Sequence, residues 1–139
     1  MSRVNRWLKP ATTVHAHCDV PCGIYDPHQA ELAAQTVARM VELIGQLPKE
    51  GRTDADMQKF IRCVSIKEQH AEIVKHEIQV IWSDYFKPEH VERYPDLHDR
   101  TWKILKLASK NKQNIDAAAA AELEAAVKEF ADIFWSTKK

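Results

Sequence analysis

Residues 17–26 read His-Cys-Asp-Val-Pro-Cys-Gly-Ile-Tyr-Asp, and the stretch from His17 to Cys22 packs an imidazole, two thiols and a turn-forming proline together. A short basic leader with Arg3, Arg6 and Lys9 precedes it. A chain cut between Ala16 and His17 would begin His-Cys and present five metal donors without help from any other segment. These are the His17 α-amine and ring nitrogen, the Cys18 amide nitrogen and thiolate, and the Cys22 thiolate. The amine and the Cys18 nitrogen close one five-membered chelate ring, and the Cys18 nitrogen and sulfur close a second in the same plane. Cys22 is carried round by the Val20-Pro21 turn. Two nitrogens and two sulfurs near one plane suit a square-planar ion, nickel or copper(II), better than tetrahedral zinc. The His17 imidazole is left over as an axial ligand. A deprotonated amide and two thiolates donate strongly and would stabilise a higher oxidation state such as Ni(III).

Proteolysis is part of this chemistry. While Ala16 is attached, the His17 nitrogen is an amide and a poor ligand. A free α-amine, with a pKa of about 7.7 to 8.0, gives up its proton to a metal near neutrality. The leader has no uninterrupted apolar core of the kind a secretory signal needs, and Val14-His15-Ala16 ends on a small residue. Cleavage after Ala16 is therefore the expected activation step, and the cytoplasm the expected location.

The segment His17-Cys18-Asp19-Val20-Pro21-Cys22-Gly23-Ile24-Tyr25 resembles the nickel hook of the nickel superoxide dismutases. Further matches are Ile66-Lys67-Glu68-Gln69, Trp82-Ser83-Asp84-Tyr85-Phe86-Lys87-Pro88, Tyr94-Pro95-Asp96-Leu97-His98 and Ile133-Phe134-Trp135. The resemblance runs from His17 to Lys139, and residues 1–16 resemble the family's removable leader in length and position. It implies a dismutase that converts superoxide to oxygen and hydrogen peroxide while one nickel ion per subunit cycles between Ni(II) and Ni(III). It also implies a four-helix bundle assembled as a homohexamer, with the hook ordered by nickel. Carried over residue by residue, the ligands are the His17 amine and imidazole, the Cys18 amide and thiolate, and the Cys22 thiolate. Tyr25 would sit over the open face, Asp19 would shape the hook, and Tyr85 and Lys87 would lie around the approach. A lysine at a narrow mouth also raises the encounter rate of a small anion.

The chain departs from this pattern at one pair. Where relatives place a glutamate on the first helix and an arginine ending a Lys-Glu-Gln-Arg run, this sequence has Ala33 and His70. Outer-shell partners orient a metal-bound imidazole and tune its basicity, so the substitution bears on redox tuning. Glu31 lies two positions away on a different helical face and is no substitute.

The elements that must carry such a site are helical. Asp26-Pro27 starts the first helix, with proline at its first position and Gln29 completing a capping box. Leu32, Val37, Met40, Val41 and Ile44 form its apolar stripe, which ends before Pro48. A loop around Gly51 leads to a long helix from about 54 to 83, with Met57, Phe60, Ile61, Val64, Ala71, Val74, Ile78, Ile81 and Trp82 on one side. A third helix spans roughly 95–109 with Leu97, Thr101, Ile104, Leu105 and Ala108, and a fourth roughly 115–135 with Leu123, Ala126, Val127, Phe130 and Phe134. The expected fold is all-α: an antiparallel up-and-down four-helix bundle over 27–139, a hook over 17–26 and a leader over 1–16.

Composition sets the outer limits. The 139 residues suit one domain, and 20 basic against 20 acidic side chains give no charge-based case for nucleic acid or an acidic membrane. No apolar stretch approaches the roughly 20 residues of a membrane helix. Of 3 cysteines two belong to the hook, which leaves no disulfide framework. Cys63 is expected to be a structural thiol, and His70 and His76 stand too far round their helix to share an ion. Lys138-Lys139 is expected to be an ordinary charged terminus. Two other function classes remain: a non-catalytic zinc or nickel binder using Cys18, Cys22 and an imidazole, which would bind metal with the leader attached, and a helical assembly module with idle thiols. A thiol oxidoreductase fits less well, because the spacing is Cys-x-x-x-Cys with no preceding strand.

Overall fold

The computed structural model describes residues 23–138. Helix α1 spans His28–Gly45, α2 Asp54–Val80, α3 Pro88–Arg93, α4 Leu97–Gln113 and α5 Ala117–Thr137, and a π-helical turn, Ile81–Tyr85, extends α2. Among the described residues there is no strand. The four long helices form a ring in which α1 packs on α2 and α5, and α4 packs on α2 and α5. Short α3 lies on the crossing from α2 to α4 and was not anticipated from the sequence. Pro88 begins it, where a missing N–H costs nothing.

The start of α1 differs from expectation by one position. Asp26 does cap it, its Oδ1 accepting from the His28 N–H at 2.8 Å. Pro27 stands just before the first helical residue rather than at it, and Gln29 takes no part in the cap. Ala30, Ala33, Ala34, Val37, Val41 and Ile44 are buried, so the α1 face is mostly small and admits close neighbours. Leu32, assigned to this stripe by spacing, is 49% exposed.

Helix α2 is held at its start by a reciprocal cap. The Asp56 N–H donates to Thr53 Oγ1 at 3.2 Å and the Thr53 N–H donates to Asp56 Oδ2 at 3.0 Å. Its buried face is Cys63, Lys67, Ala71, Val74, Glu77 and Ile78. Met57 and Ile61, expected inside, are exposed, and Trp82 is partly so. The cause is a length mismatch. The last residues of α4 meet α2 at Lys67, whose Nζ donates to the Asn111 carbonyl and, at 3.0 Å, to that of Lys112. The turns of α2 before Lys67 therefore run past the end of α4.

Lys67 is 1% exposed, which is unusual for an ammonium. Its position follows from the carbonyls that end α4, which lack intrahelical partners and carry the negative end of the helix dipole. Burial pushes its pKa below the ordinary value. Buried Asn111 completes the knot, its Nδ2 donating to Leu107 O and to Ala119 O of α5, each at 3.0 Å. Three helices are thus tied at the end of the bundle that carries the Gly51 loop.

At the opposite end the Phe86 N–H reaches back to Ile81 O at 3.2 Å. The wider turn inserts one residue into the helix and re-aims the side chains that follow, a device common at functional sites.

The start of α5 carries a pH dependence. Asp116 accepts from the Ala119 N–H at 3.0 Å and pairs with Lys110 at 2.9 Å. These contacts hold its carboxyl below the ordinary 3.8. A group with a depressed folded pKa contributes stability above its unfolded value and loses it as pH falls through the folded one. Asp116→Asn, which keeps a capping oxygen but cannot titrate, should flatten the acid limb. Urea midpoints compared between pH 5 and pH 2 check this, and an unchanged slope would contradict it.

Candidate metal centre

The expected ligands His17, Cys18 and Cys22, with Asp19, lie outside the described residues, so their assignment rests on donor chemistry. That chemistry fits nickel: soft thiolates and nitrogen donors at chelating spacing. Among the described residues, no group of three His, Cys, Asp or Glu side chains could hold a metal ion. What the structure does define is where the hook leaves its chelating residues and joins the bundle.

Gly23 makes the turn, with φ +71°, in the left-handed region that glycine alone enters without strain. Ile24 follows, 73% exposed, and then Tyr25 turns inward to 8%. The Tyr25 ring lies 5.7 Å from that of Tyr85, tilted by 54°. Tyr85 comes from the π-helical turn and packs on Phe134 at 4.5 Å and Phe86 at 5.3 Å. His90 of α3 stacks on Tyr85 at 5.7 Å with ring planes 17° apart. Two tyrosines that the sequence placed 60 positions apart are therefore side by side.

Their hydrogen bonds have a direction. Tyr85 Oη and Thr137 Oγ1 are 2.9 Å apart. The Thr137 hydroxyl donates its one proton to Phe134 O at 2.6 Å, so Tyr85 must be the donor to Thr137. By the same logic Tyr94 donates to Ser136, at 2.6 Å, because Ser136 donates to Ile133 O at 2.6 Å. Tyr25 is held from the other side, where Lys138 Nζ donates to the Tyr25 carbonyl at 3.1 Å.

Lys87 follows Tyr85 by two residues and is exposed. Its N–H donates to His90 Nδ1 at 3.1 Å and its carbonyl accepts from the His90 N–H at 2.9 Å. His90 therefore carries its ring proton on Nε2, and the backbone at Lys87 is fixed by the start of α3. The Lys87 side chain lines a surface hollow with Trp82, Pro88 and Val91, a hollow that Tyr25 and Tyr85 do not border.

The departing pair can also be placed. Ala33 is 3% exposed within the core, and its methyl group can orient nothing polar. His70 bonds Ile66 O of its own helix through Nδ1 at 2.9 Å, which leaves only Nε2 for another partner. Cys63 is buried and is the free cysteine among the described residues.

Sequence reasoning missed His90, Ser136, Thr137 and Lys138. Lys138, taken for an ordinary charged terminus, also lies 4.9 Å from the Phe134 ring centroid and 5.7 Å from that of Tyr85. One signal was present. Phe130, Phe134 and Lys138 recur every four residues and so continue one helical face.

Comparison with known proteins agrees with this layout. The family description "Nickel-containing superoxide dismutase" matches residues 12–138. The Streptomyces coelicolor protein "Superoxide dismutase [Ni]" is 42% identical over 136 residues, covering 98% of both chains. That of Streptomyces seoulensis is 40% identical over 136 residues, again covering 98% of both. A native nickel superoxide dismutase structure superposes with a TM-score of 0.78 at 40% identity, covering 88% of this chain and 98% of that one. A metal-free structure of such an enzyme gives 0.74 at 37% identity, covering 84% and 98%. A full-length match of this kind, to relatives with the same bundle, means that the chain belongs to the nickel-containing superoxide dismutase family.

Proposed function

We propose that the chain beginning at His17 converts superoxide to oxygen and hydrogen peroxide, with nickel held by the His17 amine and imidazole, the Cys18 amide and thiolate, and the Cys22 thiolate. The observation that supports this is the buried Tyr25 packed against Tyr85, three residues beyond Cys22 at the root of the hook. Nickel held by His17, Cys18 and Cys22 would supply a one-electron couple between Ni(II) and Ni(III), enough to oxidise one superoxide and reduce the next.

The protein's own groups do the rest. Tyr25, buried and backed by Tyr85, limits what reaches the open face to small species. Asp19 shapes the hook. Lys138, beside Tyr25, adds positive charge near the tyrosine pair and favours the approach of an anion, while exposed Lys87, whose side chain lines a separate hollow, adds to it only at longer range. Tyr85 donates its hydroxyl hydrogen to Thr137 Oγ1, so it is poorly placed to protonate nascent peroxide, which leaves Tyr25, a bound water or a protonated hook thiolate for that role. Exclusion of bulk oxidant also protects the thiolates, which would otherwise climb to sulfenic acid and beyond.

Residues 1–16 are a leader removed by a peptidase at Ala16–His17, residues 17–26 the hook and 27–139 the bundle. Two coverages support this division. The curated relatives align with 98% of this chain, whereas a solved relative covers 88% of it while spanning 98% of its own length. The enzyme works as a homohexamer in the cytoplasm, using the exposed apolar residues Leu32, Met57, Ile61 and Trp102 for contacts that a single subunit leaves open. Among the described residues no helix is long and apolar enough to cross a membrane.

Stopped-flow decay of superoxide tests this on two nickel-loaded chains, one starting at His17 and one at Met1. Fast decay in the His17 chain alone is the expected result. Equal metal binding by both chains without turnover would instead leave the non-catalytic binder.

A further inference from the structure

The chain has 3 tyrosines, and each is bonded by one of three consecutive residues at the end of α5. Ser136 accepts from Tyr94, Thr137 accepts from Tyr85, and Lys138 donates to the carbonyl of Tyr25. Tyr94 lies between α3 and α4, Tyr85 in the π-helical turn, and Tyr25 at the exit of the hook. The last turn of α5 is thus the meeting point of three segments that share no helix.

We propose that Ser136-Thr137-Lys138 is a clasp that positions the metal-binding segment, with Lys138 as the residue that acts on it directly. This rests on the dismutase reading for its consequence but not for its geometry. Tyr25 is held by its ring against Tyr85 and by its carbonyl on the Lys138 ammonium, and Tyr85 is held by Thr137. The bond to Tyr25 spans 113 positions of sequence, from the C-terminal turn to a residue three beyond Cys22.

The ammonium is held where it can act. It lies 4.9 Å from the centroid of Phe134, 5.7 Å from that of Tyr85 and 5.8 Å from that of Trp135. Ring faces attract a cation and orient it, and the remaining strong acceptor is the Tyr25 carbonyl. The backbone of Lys138 is fixed in turn, its N–H donating to Trp135 O at 3.3 Å. Releasing the ammonium would remove its hold on the Tyr25 carbonyl while leaving the ring packed on Tyr85. The hook would then lose direction at its root, and Tyr25 would be less well set over the face it guards.

The test compares the chain from His17 with Lys138→Met, which keeps the apolar stem but loses the charge, and Lys138→Arg, which keeps a donor able to stack on aromatic rings. Hydrogen exchange on the metal-free chains reads the clasp itself. Loss of one charge-assisted hydrogen bond should raise exchange of the amides of residues 24–28 about tenfold in the methionine variant. The arginine variant should stay near wild type, and α2 and α4 should be unchanged in both. After nickel loading, release to a chelator should be about tenfold faster for Lys138→Met and rescued in Lys138→Arg.

Unchanged exchange at residues 24–28 would overturn the clasp, whatever the wild-type chain does with nickel. Faster exchange throughout α2 would also overturn it, because Lys138 would then be a general stabiliser. Faster local exchange with unaltered nickel release would overturn the link to the metal segment. A wild-type chain that shows the clasp by exchange but holds no nickel would leave the clasp standing and remove the dismutase reading.

Discussion

Replacing Cys18 or Cys22 by serine should abolish tight nickel binding and superoxide turnover together. Serine is nearly isosteric, so the turn through Val20-Pro21 survives and the effect isolates the sulfur. A thiol ionises within reach of neutral pH and binds soft metals as thiolate, whereas an aliphatic hydroxyl does neither. Cys18 carries the greater burden, because its sulfur and amide nitrogen close one chelate ring; without the sulfur the amide has little reason to give up its proton. For either variant we expect nickel affinity and the second-order rate each to fall by at least about a thousandfold. Chelator competition measures the first and stopped-flow decay the second. Turnover close to wild type in either variant would remove that cysteine from the ligand set.

Phe130→Ala should be among the most damaging single changes to the bundle. Phe130 is 0% exposed and meets Phe86 edge-to-face, with centroids 5.5 Å apart and planes at 89°. Truncation loses the transfer energy of the ring and leaves a cavity under the segment that follows the π-helical turn. Together these should cost about 3 to 5 kcal/mol. In a domain of this size the melting temperature should drop by roughly 10 to 20 °C. Denaturant unfolding and calorimetry measure it. A loss under about 1 kcal/mol would mean that Phe86 and its neighbours collapse into the space.

The core was legible in the sequence wherever helices face helices along their whole length. Val37, Val41, Ala71, Val74, Ile78, Leu97, Ile104, Leu123, Val127, Phe130 and Phe134 are buried as their spacing requires. Spacing failed where helices end unevenly. Met57 and Ile61 carry the right period but lie beyond the reach of α4, a fact of relative length that one helix's pattern cannot contain. Lys67 failed in the opposite sense: a charge on the inner face is legible only once the carbonyl end of another helix is known to point at it. The π-helical turn left no trace either, since inserting one residue shifts the helical phase without changing any residue type.

The metal-binding segment was the most legible part, because chelation is local and depends on residue types a few positions apart. Tyr25 and Tyr85 needed the resemblance to be linked. Lys138 needed the structure, for its role follows from a contact between residues 113 positions apart.

The two ends of the bundle are not equivalent, and the knot of Lys67 and Asn111 has a consequence for how the protein can change. It locks α2, α4 and α5 at the end remote from Tyr25, so alterations beyond it are mechanically insulated from the redox end. The Gly51 loop can therefore absorb insertions at little cost to the other end. A fused tag belongs in that loop rather than beside the last turn of α5, where Ser136, Thr137 and Lys138 already hold Tyr94, Tyr85 and Tyr25.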